Sequence, residues 1–175
     1  MKLTALALSG LVALVAAAVL VAPALSGDGP LSPELREIRS AVARYHSFAQ
    51  AQAQADGYTV ENELCIASPA GTMGIHAINP ALMADDAIDP LRPEILLYVP
   101  KANGKLELVG VEYWKRDADQ NLATNGDQPS LFGRAFDGPM PGHGPVMPVH
   151  YDMHVWVAEA NTSGVFALFN PAVAC

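Results

Sequence analysis

Two apolar runs joined through Asn103-Gly104 constrain the fold of this chain more than any other feature. Glu94-Ile-Leu-Leu-Tyr-Val99 and Leu106-Glu-Leu-Val-Gly-Val-Glu-Tyr-Trp114 are rich in β-branched and aromatic residues, and only Pro100-Lys-Ala-Asn-Gly-Lys105 separates them. Asn-Gly between such runs specifies a tight hairpin turn, so an antiparallel pair is expected. From Tyr58 onward the same grammar continues, with strands predicted near 59–66, 73–78, 94–99, 105–115, 150–158 and 164–169, punctuated by Pro and Gly.

A sheet with one apolar face needs a cover. Ser32 as N-cap, Pro33 in the first turn and Glu34 beside it announce a helix. Leu35, Ile38, Val42, Tyr45 and Ala49 then follow at spacings of three and four, and Asp56-Gly57 supplies the stop. The expected fold is therefore α+β: an N-terminal amphipathic helix packed on a curved, mainly antiparallel β-sheet that closes into a small barrel if its edges meet. Asn79-Pro80 to Arg92-Pro93 reads as a connector with a helical turn at 81–85. Residues 117–148, rich in Asp, Asn, Gly and Pro, read as a long ordered flap anchored by Phe132 and Phe136.

The first residues address the chain. Lys2, an apolar stretch from Leu3 to Leu25 and the small-x-small site Ala22-Pro23-Ala24 form a secretory signal over residues 1–24. The same run is long enough to remain as a membrane anchor. Residues 25–31 form a linker and 32–175 a single domain. With 10 basic and 18 acidic residues in the whole chain, loss of Lys2 leaves 9 − 18 = −9 on the exported part. That balance argues against nucleic-acid partners and anionic membrane surfaces, so the membrane enters only through the N-terminal segment. Cys65 and Cys175 are the only cysteines, and outside the cytoplasm a lone pair is most simply one disulfide.

Chemistry concentrates in His150-Tyr-Asp-Met-His-Val-Trp156. Strand alternation puts His150, Asp152, His154 and Trp156 on one face and Tyr151, Met153 and Val155 on the other. Positions 150 and 154 lie about 13 Å apart along a strand, too far to chelate one ion. His154 therefore needs partners on neighbouring strands, and His150 belongs at the rim. Glu112 is the best partner, sharing a predicted face with Leu108, Gly110 and Trp114, where Gly110 would leave space beside it. His76 and Glu94 join if their strands adjoin. Imidazole with carboxylate suits Zn, Cu, Fe, Mn or Ni. His143, between Gly and Pro residues, reads as a solvated loop histidine, Trp114 and Trp156 as core, and Asn161-Thr-Ser163 as a glycosylation acceptor pattern. The chain carries no Gly-x-Ser-x-Gly, Gly-rich phosphate loop, His-Glu-x-x-His or Cys-x-x-Cys sequence.

Several separated pieces occur in an order that resembles a family of small exported bacterial proteins of largely unassigned activity. They are Ala55-Asp-Gly-Tyr58, Met73-Gly-Ile-His76 with Asn79-Pro80, Pro93-Glu94 with Leu97-Tyr98, Val111-Glu-Tyr113, His150 to Trp156, and Asn170-Pro171 with Cys175. Together they cover most of residues 44–175. The resemblance implies a secreted domain in which His76, Glu112 and His154 belong to recurring motifs, and supplies no substrate. Ala77 stands where the family usually has an aromatic residue, which removes any contact made by that ring.

The leading expectation is an exported protein binding a metal or small ligand through His76, Glu112 and His154, with Glu94 and His150 as further candidates. A secreted metalloenzyme is one alternative, since a three-ligand site with an open position activates water or oxygen. A non-catalytic extracytoplasmic interaction module, its His and Glu residues held in a structural polar network, is the other.

Overall fold

A computed structural model describes residues 30–48, 52–60, 64–143 and 147–175; the signal segment and most of the linker lie outside them. Helix α1 (Pro33–Val42) starts as expected: the Ser32 hydroxyl accepts the N–H of Leu35 at 3.3 Å. The helix does not run on to Asp56-Gly57. It tightens into a 3₁₀ turn at Ala43–Tyr45, and a short α2 (Gln52–Ala55) follows. The reason is tertiary. The Tyr45 carbonyl accepts the Tyr98 hydroxyl at 2.7 Å, and the His46 carbonyl accepts the N–H of Leu108 at 2.9 Å. Both acceptors are thus committed to the sheet rather than to a next helical turn. Leu35, Ile38, Val42 and Tyr45 form the buried stripe; Ala49 lies outside the described residues.

The strands are β1 (Thr59–Val60), β2 (Ile66–Ser68), β3 (Gly71–Ile78), β4 (Ile95–Pro100), β5 (Leu106–Arg116), β6 (Ser130–Leu131), β7 (Arg134–Ala135), β8 (Asp137–Met140) and β9 (His150–Val155). Seven of them form one antiparallel sheet in the order β1-β3-β4-β5-β9-β8, with β2 also on β3; β6 and β7 pair separately. The sheet stays open. Its outer strands are short, β1 with two residues and β8 with four, and they do not pair with each other as barrel closure demands. Between β3 and β4, α3 (Pro80–Asp85) is capped by the Asn79 side chain, which accepts from Ala81 and Leu82.

The apolar 164–169 run forms turns, not a strand: Gly164 N–H donates to Asn161 O and Ala167 N–H to Gly164 O. The loop pinned by Phe132 and Phe136 is ordered where described, with Phe136 buried and Phe132 against Tyr113 and Phe166. It also adds β8 to the sheet, a strand hidden in the sequence by its Gly138-Pro139 centre.

Alternation divides the sheet into two faces. Ile75, Ala77, Leu96, Tyr98, Val111, Tyr113, Met153 and Val155 pack with the stripe of α1. Ile95, Leu97, Val99, Val109, Trp114 and Trp156 form a second cluster on the other side. A bulge in the β4–β5 ladder places Leu97 opposite Gly110 but Tyr98 opposite Leu108. One extra residue thereby moves Leu108 to the helix side, away from the face shared by Glu112 and Trp114. Cys65 and Cys175 form a disulfide with Cα atoms 5.9 Å apart, fastening the start of β2 to the C-terminal segment. Such bonds persist in oxidising, extracytoplasmic compartments. Among the described residues no helix is long and apolar enough to cross a membrane.

Candidate metal centre

The face opposite α1 gathers the polar side chains. Glu112 on β5 is directly opposite His154 on β9, and His76 on β3 is opposite Leu97 on β4. Strands lie about 4.8 Å apart, so Glu112 reaches over β4 towards His76 while its cross-strand neighbour supplies the second imidazole. His76 Nε2 stands 3.1 Å from Glu112 Oε2, and His154 Nε2 stands 3.5 Å from the same oxygen. One ligand atom from each of the three lies within 4.8 Å of the others. Two atoms bound tetrahedrally to one ion at about 2.1 Å are about 3.4 Å apart. The trio could hold a metal ion.

Burial sharpens this. Glu112 and His154 are 5% and 1% exposed, yet Glu112 Oε2 and both ring nitrogens of His154 lack a hydrogen-bond partner. His76 approaches that oxygen as an ion-pair partner at 3.1 Å. Each buried polar atom left without a hydrogen bond costs about 1–3 kcal/mol. Burial pushes the Glu112 carboxyl up, but His154, then His76 and His150, outweigh it and draw the group down to about 2. Burial holds His154 below its usual value, against the pull of Glu112. A carboxyl drawn down and an imidazole held low both move towards the deprotonated forms that ligate metals.

Glu94 and His150 stand outside the trio. The Glu94 carboxylate accepts the backbone N–H of Trp114 at 3.1 Å, capping a donor of β5 beyond the end of β4. Burial raises its carboxyl to about 7 despite that bond. His150, the first residue of β9, is buried rather than placed at an open rim. Its Nδ1 is 3.0 Å from Pro148 O and its ring stacks on Trp114 at 5.8 Å.

Both residues of the His143–His150 pair, with ring centroids 5.1 Å apart, line a cavity of about 180 Å³ over the trio. Leu64, Ile66, Met73, Ile78, Ile95 and Met147 give it apolar walls. His143 is therefore more than a solvated loop residue, although it is exposed.

Asp152 also lines this cavity, and its importance escapes motif reading. It is 1% exposed, Oδ1 lies 3.9 Å from His154 Nδ1 and has no hydrogen bond. Burial first, then the charges of Glu112 and Asp137, push its carboxyl up to about 8. Its only sequence signal is the two-residue spacing from His150 and His154.

Two smaller expectations change. A Cβ at Gly110 would lie 3.0 Å from Val155 O and 3.3 Å from Trp156, so that glycine permits close packing rather than leaving space. Asn161 is 2% exposed and spends its side chain on Phe169 O and Ser163 N, which leaves no accessible acceptor for a glycan. No protein-family model, curated protein or solved structure matches the chain.

Proposed function

We propose that this is an extracytoplasmic protein that binds one divalent transition-metal ion through His76, Glu112 and His154, with an open coordination position facing the 180 Å³ cavity. The carrying observation is the convergence of the buried, unpartnered ligand atoms of Glu112 and His154 with the half-buried His76 Nε2, at 3.5 and 3.1 Å from the same carboxylate oxygen. A purely structural network would satisfy its members by hydrogen bonding. Two imidazoles and a carboxylate suit Zn, Cu, Fe, Mn or Ni, and the same donor set serves catalytic zinc and non-haem iron sites. The signal-like N-terminus and the resemblance to exported bacterial proteins support the compartment.

Metal analysis of the purified protein, after supply of each ion, tests the reading. One equivalent is expected, lost in both His154→Ala and Glu112→Gln with the circular dichroism unchanged. Less than stoichiometric uptake of every ion overturns the proposal.

The cavity favours a secreted metalloenzyme as the second reading, because a small molecule entering it would meet the open position with Asp152 alongside. Azide or imidazole binding to the Co(II)-loaded protein, seen as a change in the visible spectrum, checks that an exchangeable position exists.

A further inference from the structure

The cavity over the trio has a size and a lining that an ion alone does not explain. Its volume is about 180 Å³, and an apolar cavity of about 150 Å³ is enough to take one benzene. Room remains for a single ring with a short head, well below the roughly 300–1,000 Å³ of sites that take drug-sized molecules.

The walls suit an apolar body. Ile66 from β2, Met73 and Ile78 from β3 and Ile95 from the start of β4 line the cavity, and Met147 joins them from the loop before β9. Met73 and His76 are three residues apart, a spacing that strict alternation would split between the two faces of β3. Gly74 breaks the alternation: its φ is 98°, a backbone conformation open to glycine, and residues 73 and 76 both line the cavity.

The floor holds a polar group that the three ligands leave over. Asp152 lines the cavity, is 1% exposed, and its Oδ1 has no hydrogen-bond partner. A buried acceptor in that state favours a ligand that brings a donor. Among the described residues no Lys or Arg lines the cavity, and the four imidazoles already face Glu112 or each other. An anion would therefore meet the carboxyls of Glu112 and Asp152, and a cation would exchange its water for isoleucine and methionine. A neutral molecule avoids both costs. A hydroxyl serves both neighbours, giving its proton to the Asp152 carboxyl while its oxygen keeps a lone pair for an ion.

We infer that the cavity binds a small neutral hydroxyl compound the size of a phenol, with its hydroxyl at Asp152 and its apolar body against Ile66, Met73, Ile78 and Ile95. Contact of the hydroxyl oxygen with an ion rests on the metal reading above; the Asp152 and apolar contacts do not.

Phenol is the probe, titrated into the purified metal-free protein labelled with ¹³C at the methionine methyls. Saturable shifts of the Met73 and Met147 resonances are expected, with a Kd of about 0.1–1 mM. Met153, buried on the α1 face, stays fixed. Toluene supplies the ring without the hydroxyl. The ratio of phenol to toluene affinity is expected to fall about tenfold in Asp152→Leu and to hold in Asp152→Asn, whose amide oxygen still accepts. Zn²⁺-loaded protein is expected to bind phenol more tightly, and binding no tighter there overturns the placement of the hydroxyl. Absence of shifts at Met73 and Met147 overturns the inference, as does an affinity ratio unchanged in Asp152→Leu. Benzoate or benzylammonium binding the metal-free protein as tightly as phenol also overturns it, and these wild-type titrations keep the test decisive if the leucine variant does not fold. Phenol bound by protein that takes up no ion refutes the metal reading alone; an ion bound by protein that gives no phenol shifts refutes this inference alone.

Discussion

Replacing Asp152 by Asn in the metal-free protein should stabilise it at neutral pH and leave it almost unchanged near pH 4. The carboxyl moves from an ordinary 3.8 up to about 8 on folding. A raised acid contributes stability that is fully present below 3.8 and lost as pH rises towards 8. At pH 7 the folded protein holds a proton that the unfolded chain has released over about three units, at about 1.4 kcal/mol each, a ceiling of about 4 kcal/mol. An amide at this position still has to be desolvated, so a gain on the order of 2 kcal/mol is expected. The added N–H₂ has an acceptor close by, since His154 Nδ1 is 3.9 Å from Asp152 Oδ1 and lacks a partner. His154, held low by burial, and Glu94, raised to about 7, impose slopes of their own. Both occur in wild type and variant, so they largely cancel in the difference. Urea unfolding of the two proteins from pH 4 to pH 8, with equal m-values, measures it. A difference that does not grow with pH, or an Asn variant less stable than wild type at pH 7, refutes the reasoning.

Exchanging both Cys65 and Cys175 for Ser opens a loop of 110 residues, and urea midpoints should report a loss of about 4 kcal/mol. Gly74→Ala should destabilise by about 2 kcal/mol or more, because φ is 98° and the new Cβ would sit 2.5 Å from Tyr98 O; an unchanged Tm would contradict the register of β3 on β4.

Features with local causes were legible in the sequence. Asn103-Gly104 made its hairpin, with Gly104 at φ 76°, and two-residue alternation sorted His150, Asp152 and His154 from Tyr151, Met153 and Val155. Those two facts carried most of the site, because the hairpin fixes β5 and the alternation fixes β9. Features set by contacts between distant segments stayed hidden. The helix stops where Tyr98 claims a carbonyl. The bulge that moves Leu108 inserts Val109 beside Gly110, a strand glycine that the sequence offers only as open space. The Val165-Phe166-Ala-Leu-Phe169 run has strand composition, but one of its carbonyls accepts the Trp156 N–H and another the Trp156 indole, so it coils over that ring. Glu94 was chemically plausible as a ligand, and only the end of β4 shows that its carboxylate is spent on the backbone of β5.

Glu112 and His154 form a directly opposed cross-strand pair inside the sheet, with β4 on one side and β8 on the other. Amides on such interior strands exchange with solvent only through the largest unfolding events. An ion held by this pair would leave its receptor standing on departure, and rebinding would involve little ordering of the chain. A receptor of this stiffness selects ions by whether they accept its spacing, and it responds to a mismatched ion by weak binding rather than by a change of shape.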